Sequence, residues 1–189
     1  MTGKADPRLP AADPRDPLTE HRVDGEQVFR GVLLDVRRDR VRLPDGKEAL
    51  REYIRHPGAV AIVALLEDGR VLLERQFRYP LRRVFVEIPA GKLERGEDPL
   101  ETGKRELLEE TGYAAREWRR LGAIHNAIGY SDEGIEIWLA RDLEMREQAL
   151  AEGEFLEVFS LPLAEAQAMA RDGRITDVKS IVGLLWVET

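Results

Sequence analysis

The chain has 189 residues, 43% of them hydrophobic and 34% charged, enough for one domain with its own core and a small appendage. Asp and Glu outnumber Lys and Arg 36 to 29, and the resulting net charge of −7 argues against a general nucleic-acid partner. The absence of cysteine excludes a disulfide framework, a thiolate nucleophile and Cys-held zinc, and no apolar run approaches the ~20 residues that span a bilayer. The first ten residues, MTGKADPRLP, carry no apolar signal core, so the cytoplasm is the expected compartment and no membrane partner is expected. His21, His56 and His125 stand far apart and make no ligand pattern.

In chain order, residues 1–20 place Pro7, Pro10, Pro14 and Pro17 among charges and read as a flexible arm. An appendage over 21–56 follows, in which VFRGVLLDV, DRVRLP, a Pro44-Asp45-Gly46 turn and EALREYIRH predict a three-stranded antiparallel meander from about residue 27. The main domain is expected over 57–189. Its first segment, GAVAIVALL, is a continuous apolar run of the kind a strand buried on both faces requires. Asp68-Gly69 turns the chain into VLLERQFRY, and RRVFVEIPAG supplies another strand. A helix over roughly 99–111 is marked by Asp98 as N-cap, Pro99 at N1, Glu101 completing a capping-box arrangement, and Gly112 beyond its end. Strands near 117–127, 134–140 and 154–161 and helices near 163–171 and 177–188 complete a mixed α+β domain.

The stretch GKLERGEDPLETGKRELLEETGY, residues 91–113, carries seven carboxylates. Helical geometry stacks Glu106 and Glu110 one turn apart with Glu109 beside them. Like charges at that spacing cost a helix roughly a few tenths of a kcal/mol, and these three sit near the C-terminus, the wrong end for the helix dipole. Spacing alone fits an acidic solvent face better than a metal site; the surrounding residues reverse that preference. Together they read G-x5-E-x7-R-E-L-x-E-E-x-G-Y, from Gly91 through Glu97, Arg105, Glu106, Leu107, Glu109 and Glu110 to Gly112. This pattern resembles the signature of the Nudix hydrolases, departing only at Tyr113, a packing position where an aliphatic residue is usual.

The residue types suit the chemistry. Mg²⁺ prefers carboxylate oxygens, retains water and bridges to substrate phosphates, so Glu106 and Glu110 are the best ligand pair and Glu109 the third, with Mn²⁺ as an alternative ion. Arg105 can hold Glu97 in a two-pronged pair that orients the preceding loop. Gly91 lets backbone come close to metal or phosphate. The resemblance adds that the carbonyl before this glycine, here that of Ala90, ligates metal, and that the fold is a mixed β-sheet sandwiched between helices. It implies hydrolysis of a nucleoside diphosphate linked to another group.

Three features outside the signature resemble the ADP-ribose pyrophosphatase branch. The appendage matches that branch's extra β-domain, which exchanges between subunits, so a homodimer is implied. Arg51, Glu52, Arg78 and Glu87 match positions that contact the nucleotide sugar. GEFLEVFSLP resembles the segment that follows the catalytic loop, where a glutamate acts as general base; Glu152 and Glu154 are both candidates. The branch's usual proline about 15 residues past the signature is replaced by Ile128 and Gly129, and Phe29 or Tyr53 could stack on the base. The implied substrate is ADP-ribose, with GDP-mannose or another nucleotide sugar as the alternative. A non-catalytic ligand sensor on the same fold is the reading from another class, and the intact glutamates weigh against it.

Overall fold

A computed structural model describes residues 13–94 and 96–188. The chain divides into two compact units, one reaching to His56 and taking in Gly129–Ser131, the other formed by Pro57–Ile128 and Asp132 onward. Most of the expected arm, residues 1–12, lies outside the described residues. Residues 13–19 form turns closed by their own aspartates: Arg15 N–H donates to Asp13 Oδ1 and Leu18 N–H to Asp16 Oδ1, both at 2.9 Å.

The first unit is an antiparallel sheet of β1 (His21–Arg30), β2 (Asp35–Arg42) and β3 (Glu48–Arg55) in that order. The reading of VFRGVLLDV as one strand needs correction. Gly31 N–H donates to the Leu34 carbonyl at 2.8 Å, so the apolar run is cut by a turn and β1 begins six residues before the expected start. The highly charged β1 pairs with β2 along its length, from His21 opposite Arg42 to Arg30 opposite Asp35. Its charges are used across the sheet, Arg40 binding Asp24 and Arg22 reaching Asp39 at 2.8 Å. Val28, Phe29, Leu50 and the turn residues Val32 and Leu33 remain exposed, because three strands are too few to bury them.

The second unit contains β4 (Ala59–Ala64), β5 (Arg70–Arg78), β6 (Arg83–Glu87), β7 (Ala90–Lys92), α1 (Pro99–Thr111), β8 (Tyr113–Ile124), β9 (Ile135–Met145), β10 (Leu156–Pro162), α2 (Leu163–Asp172) and α3 (Val178–Trp186). One sheet has the order β7-β4-β9-β8 and is mixed, since β4 and β9 run parallel; the other is β10-β5-β6, antiparallel throughout. Strand β4 is the pivot. Ala61 and Val63 pack on one side with Leu73, Ile137 and Leu184, while Ile62 and Ala64 pack on the other with Leu72 and Leu107. Burial on both sides explains why this strand reads as an unbroken apolar run. Each fully buried aliphatic side chain here contributes roughly 1.5–3 kcal/mol.

Helices cover both sides, and two of them, α1 and α3, come close at a glycine. On α1, a Cβ at Gly103 would stand 3.4 Å from Val60 and 3.5 Å from Trp118. On α3, a Cβ at Gly183 would stand 2.9 Å from Ile88 and 3.0 Å from Val63. The expected mixed sheet between helices, with an N-terminal antiparallel sheet, is the observed fold. No described helix is long and apolar enough to cross a membrane.

Candidate active site

Helix α1 carries the site, and local chemistry determines where it starts and stops. Asp98 accepts from the backbone N–H groups of Leu100 at 2.9 Å and Glu101 at 3.4 Å, with Pro99 filling the first helical position. Gly112 ends the helix in the left-handed region at φ 74°. Glu101 turns instead to Lys104 at 2.8 Å, so the second half of the expected capping box is absent. With Leu107 buried against the sheet, the face bearing Glu106 and Glu110 turns toward β7.

Three contacts set the carboxylates. Arg105 grips Glu97 with both prongs at 3.1 Å, and this pairing draws the Glu97 carboxyl down to about 2. The same guanidinium donates through Nη1 to Glu106 Oε1 at 2.8 Å and to Glu109 Oε2 at 3.2 Å. Glu110, only 4% exposed, accepts from the Ala90 backbone N–H at 3.0 Å. Gly91 is what admits Glu106: a Cβ there would lie 1.9 Å from the Glu106 carboxyl carbon.

Behind α1 stands a second layer of charge. Glu87 on β6 is 4% exposed; burial opposes its ionisation, but Arg78 at 2.7 Å on both oxygens and the Lys179 ammonium hold its carboxyl below the ordinary value. Lys179 also reaches Asp177 at 3.0 Å, and Ser180 ties this end of α3 to the strand by accepting from Ile88 N–H at 2.8 Å. Directly opposite Glu87 in the β5–β6 ladder lies Glu74, 3% exposed, whose Oε1 has no hydrogen-bond partner. Burial first, and then the charges around them, push Glu74 and Glu110 well above the ordinary carboxylate range; burial also raises Glu106, against the pull of Arg105.

A hard divalent cation fits this set. The donors are all oxygens, negative charge is in excess, one buried carboxylate oxygen is orphaned, and Gly91 leaves space beside Glu106. Among the described residues no three carboxylate or histidine groups are already drawn into a cage for a metal ion. The reason is visible in Arg105, which spreads its charge over Glu97, Glu106 and Glu109.

The remaining predicted residues separate. Glu154, half-buried and ending a turn closed onto Ala151, lies near enough to raise Glu74, Glu106 and Glu110 by its charge, whereas Glu152 is exposed. Arg78 and Glu87 are bound to each other. Arg51 and Glu52 belong to the first unit, where Arg51 pairs with Glu20 at 2.6 Å and Glu52 with Arg38 at 2.7 Å. Glu74 and Lys179 escaped sequence reasoning. The signal for Glu74 was a lone carboxylate after the apolar run Val71-Leu72-Leu73; for Lys179, 92 residues from Glu87, no local signal exists.

Residues 55–180 match the NUDIX domain model, and residues 20–54 match the model of a nucleoside diphosphate sugar hydrolase N-terminal domain. The chain belongs to the Nudix hydrolase family. This Nudix hydrolase is 39% identical over 173 residues to the ADP-ribose pyrophosphatase of Bacillus subtilis (strain 168), covering 90% of the chain and 94% of the relative. It is also 39% identical over 171 residues to the methanol dehydrogenase activator of Bacillus methanolicus, covering 89% and 92% respectively. A crystal structure of an ADP compounds hydrolase matches with a TM-score of 0.78 over 88% of this chain and 91% of that one; at 23% identity it bears on the fold alone.

Proposed function

We propose that this Nudix hydrolase cleaves the diphosphate bond of a nucleoside diphosphate sugar, with ADP-ribose as first substrate and AMP and ribose 5-phosphate as products. The observation that carries the reading is the pair of buried Glu110 and half-buried Glu106 seated against Ala90–Gly91, supported by similarity to a protein named for that activity. Glu106, Glu110 and the Ala90 carbonyl would hold Mg²⁺ or Mn²⁺, with Glu109 at the edge of the set. The bound ion would polarise the diphosphate and offset charge that develops on its oxygens.

The chain's own residues do the rest. Arg105, anchored on Glu97, fixes the helix carboxylates relative to the loop before them. Glu154 removes a proton from the attacking water as oxygen bonds to phosphorus and the bridging P–O bond breaks. Arg78, kept in place by buried Glu87, offers its remaining N–H groups to the substrate. The apolar residues exposed on that unit, Val28, Phe29 and Leu50, support a homodimer.

A Mg²⁺-dependent hydrolysis panel tests the proposal: ADP-ribose, GDP-mannose, nicotinamide dinucleotides, diadenosine polyphosphates and nucleoside triphosphates. ADP-ribose should turn over fastest. Turnover of none of these would sink the enzyme reading, and a preference for triphosphates would sink the substrate class.

A further inference from the structure

Glu74 does not belong to the helix signature, yet it is the carboxylate most in need of a partner. It follows Val71, Leu72 and Leu73 on β5 and shares the side of the strand that Leu72 uses to pack beneath α1. At that depth an aliphatic side chain would satisfy the strand pattern at no electrostatic cost. The chain instead keeps a carboxylate at 3% exposure with Oε1 unpartnered, and an unpaired buried charge costs several kcal/mol or more. Among the described residues, the nearby cations are committed elsewhere. Lys179 is close enough to act on Glu74, but its ammonium is committed to Glu87 and Asp177, and Arg78 is committed to Glu87. Arg105 serves Glu97, Glu106 and Glu109. The group that Glu74 meets is Glu110, another buried carboxyl, whose backbone donor at Ala90 leaves it oriented as an acceptor.

We propose that Glu74 is a ligand for a divalent cation held between β5 and α1, shared with Glu110 and additional to the carboxylates of the helix signature. Two facing carboxylates suffice for such an ion, because Mg²⁺ and Mn²⁺ keep several waters and take further oxygens from substrate phosphates. The inference rests on reading Glu106 and Glu110 as metal ligands. A proton shared by the two carboxyls is the competing occupant.

The test is Mn²⁺ binding to the full, chelator-treated chain without nucleotide, followed by electron paramagnetic resonance. Glu74→Val and Glu74→Gln should bind Mn²⁺ at least ~10-fold more weakly than the wild type or lose one ion per chain, tenfold being about 1.4 kcal/mol. Glu74→Val should also melt no lower than the metal-free wild type, since a buried charge has been removed, and should lose most of the Mn²⁺-induced rise in Tm. If Glu74→Val does not fold, Glu74→Gln alone decides the binding question. Wild-type affinity and stoichiometry in both variants would assign the pair to a proton and overturn the proposal, as would a wild type that binds no Mn²⁺. Glu74-dependent binding without hydrolysis of any nucleotide sugar would retain this inference and remove the proposed function.

Discussion

At Gly91, any side chain would collide with the Glu106 carboxyl, so this glycine is a test of geometry that leaves every charged group in place. Gly91→Ala should lower kcat by roughly 100-fold with little change in Tm, the cost expected when a reacting group is displaced by about 1 Å; an unchanged kcat would show that the position of Glu106 does not matter. Glu106→Gln and Glu110→Gln should each lose about 100-fold or more in hydrolysis of ADP-ribose, the loss the proposed ligand role requires. The two loop glutamates are separated by their surroundings. Glu154→Gln should lower kcat with KM nearly constant, whereas Glu152→Gln should be neutral. The opposite result would move the proton acceptor to Glu152. The signature residues were legible in the sequence because helical spacing brings them together. Glu74 was not, since a glutamate in VLLERQ is indistinguishable from one on the solvent side of a strand until the packing of α1 is known.

At the scale of elements, α1 occupies the expected range of 99–111 because its signals are local: a side-chain cap, a proline where no N–H is needed, and a glycine at positive φ. Asp98→Ala should cost about 1 kcal/mol in denaturant unfolding, the typical value of an N-cap. No loss at all would mean that packing of Leu107 holds the helix start unaided. Strand β4 was equally legible, as an apolar run needs no partner to be recognised. Strand β1 was not. HRVDGEQVFR carries no strong period-two signal and is ordered by pairing with β2 and by ion pairs such as Arg40 with Asp24, which exist only once the sheet has formed. In the adjacent VLLDV, Val32, Leu33 and Leu34 are spent on a turn, and only Asp35 and Val36 enter β2.

For the molecule as a whole, the buried carboxyls couple stability to pH. Glu74 and Glu110 have folded-state values raised by burial above the ordinary 4.5, so the folded chain binds protons more tightly than the unfolded chain. Their contribution is fully present below 4.5 and is lost as pH rises through the raised values. Metal-free protein should therefore lose Tm between about pH 5 and pH 8, and added Mg²⁺ should raise Tm more at the upper end. A Tm shift by Mg²⁺ that is equal at both would disconnect the carboxyls from the ion. Glu97 has the opposite sign: its lowered value removes stability only as pH falls from 4.5 toward about 2. Light scattering across a concentration series should give twice the chain mass, and Phe29→Asp should shift the population toward monomer. A monomer at every concentration would leave the exposed apolar residues of the first unit without that explanation.

The three-way grip of Arg105 has a consequence for the order of assembly. Because a guanidinium already pairs with Glu97, Glu106 and Glu109 and offsets part of their charge, α1 should form without any ion. Helix content measured by circular dichroism should then survive complete chelation.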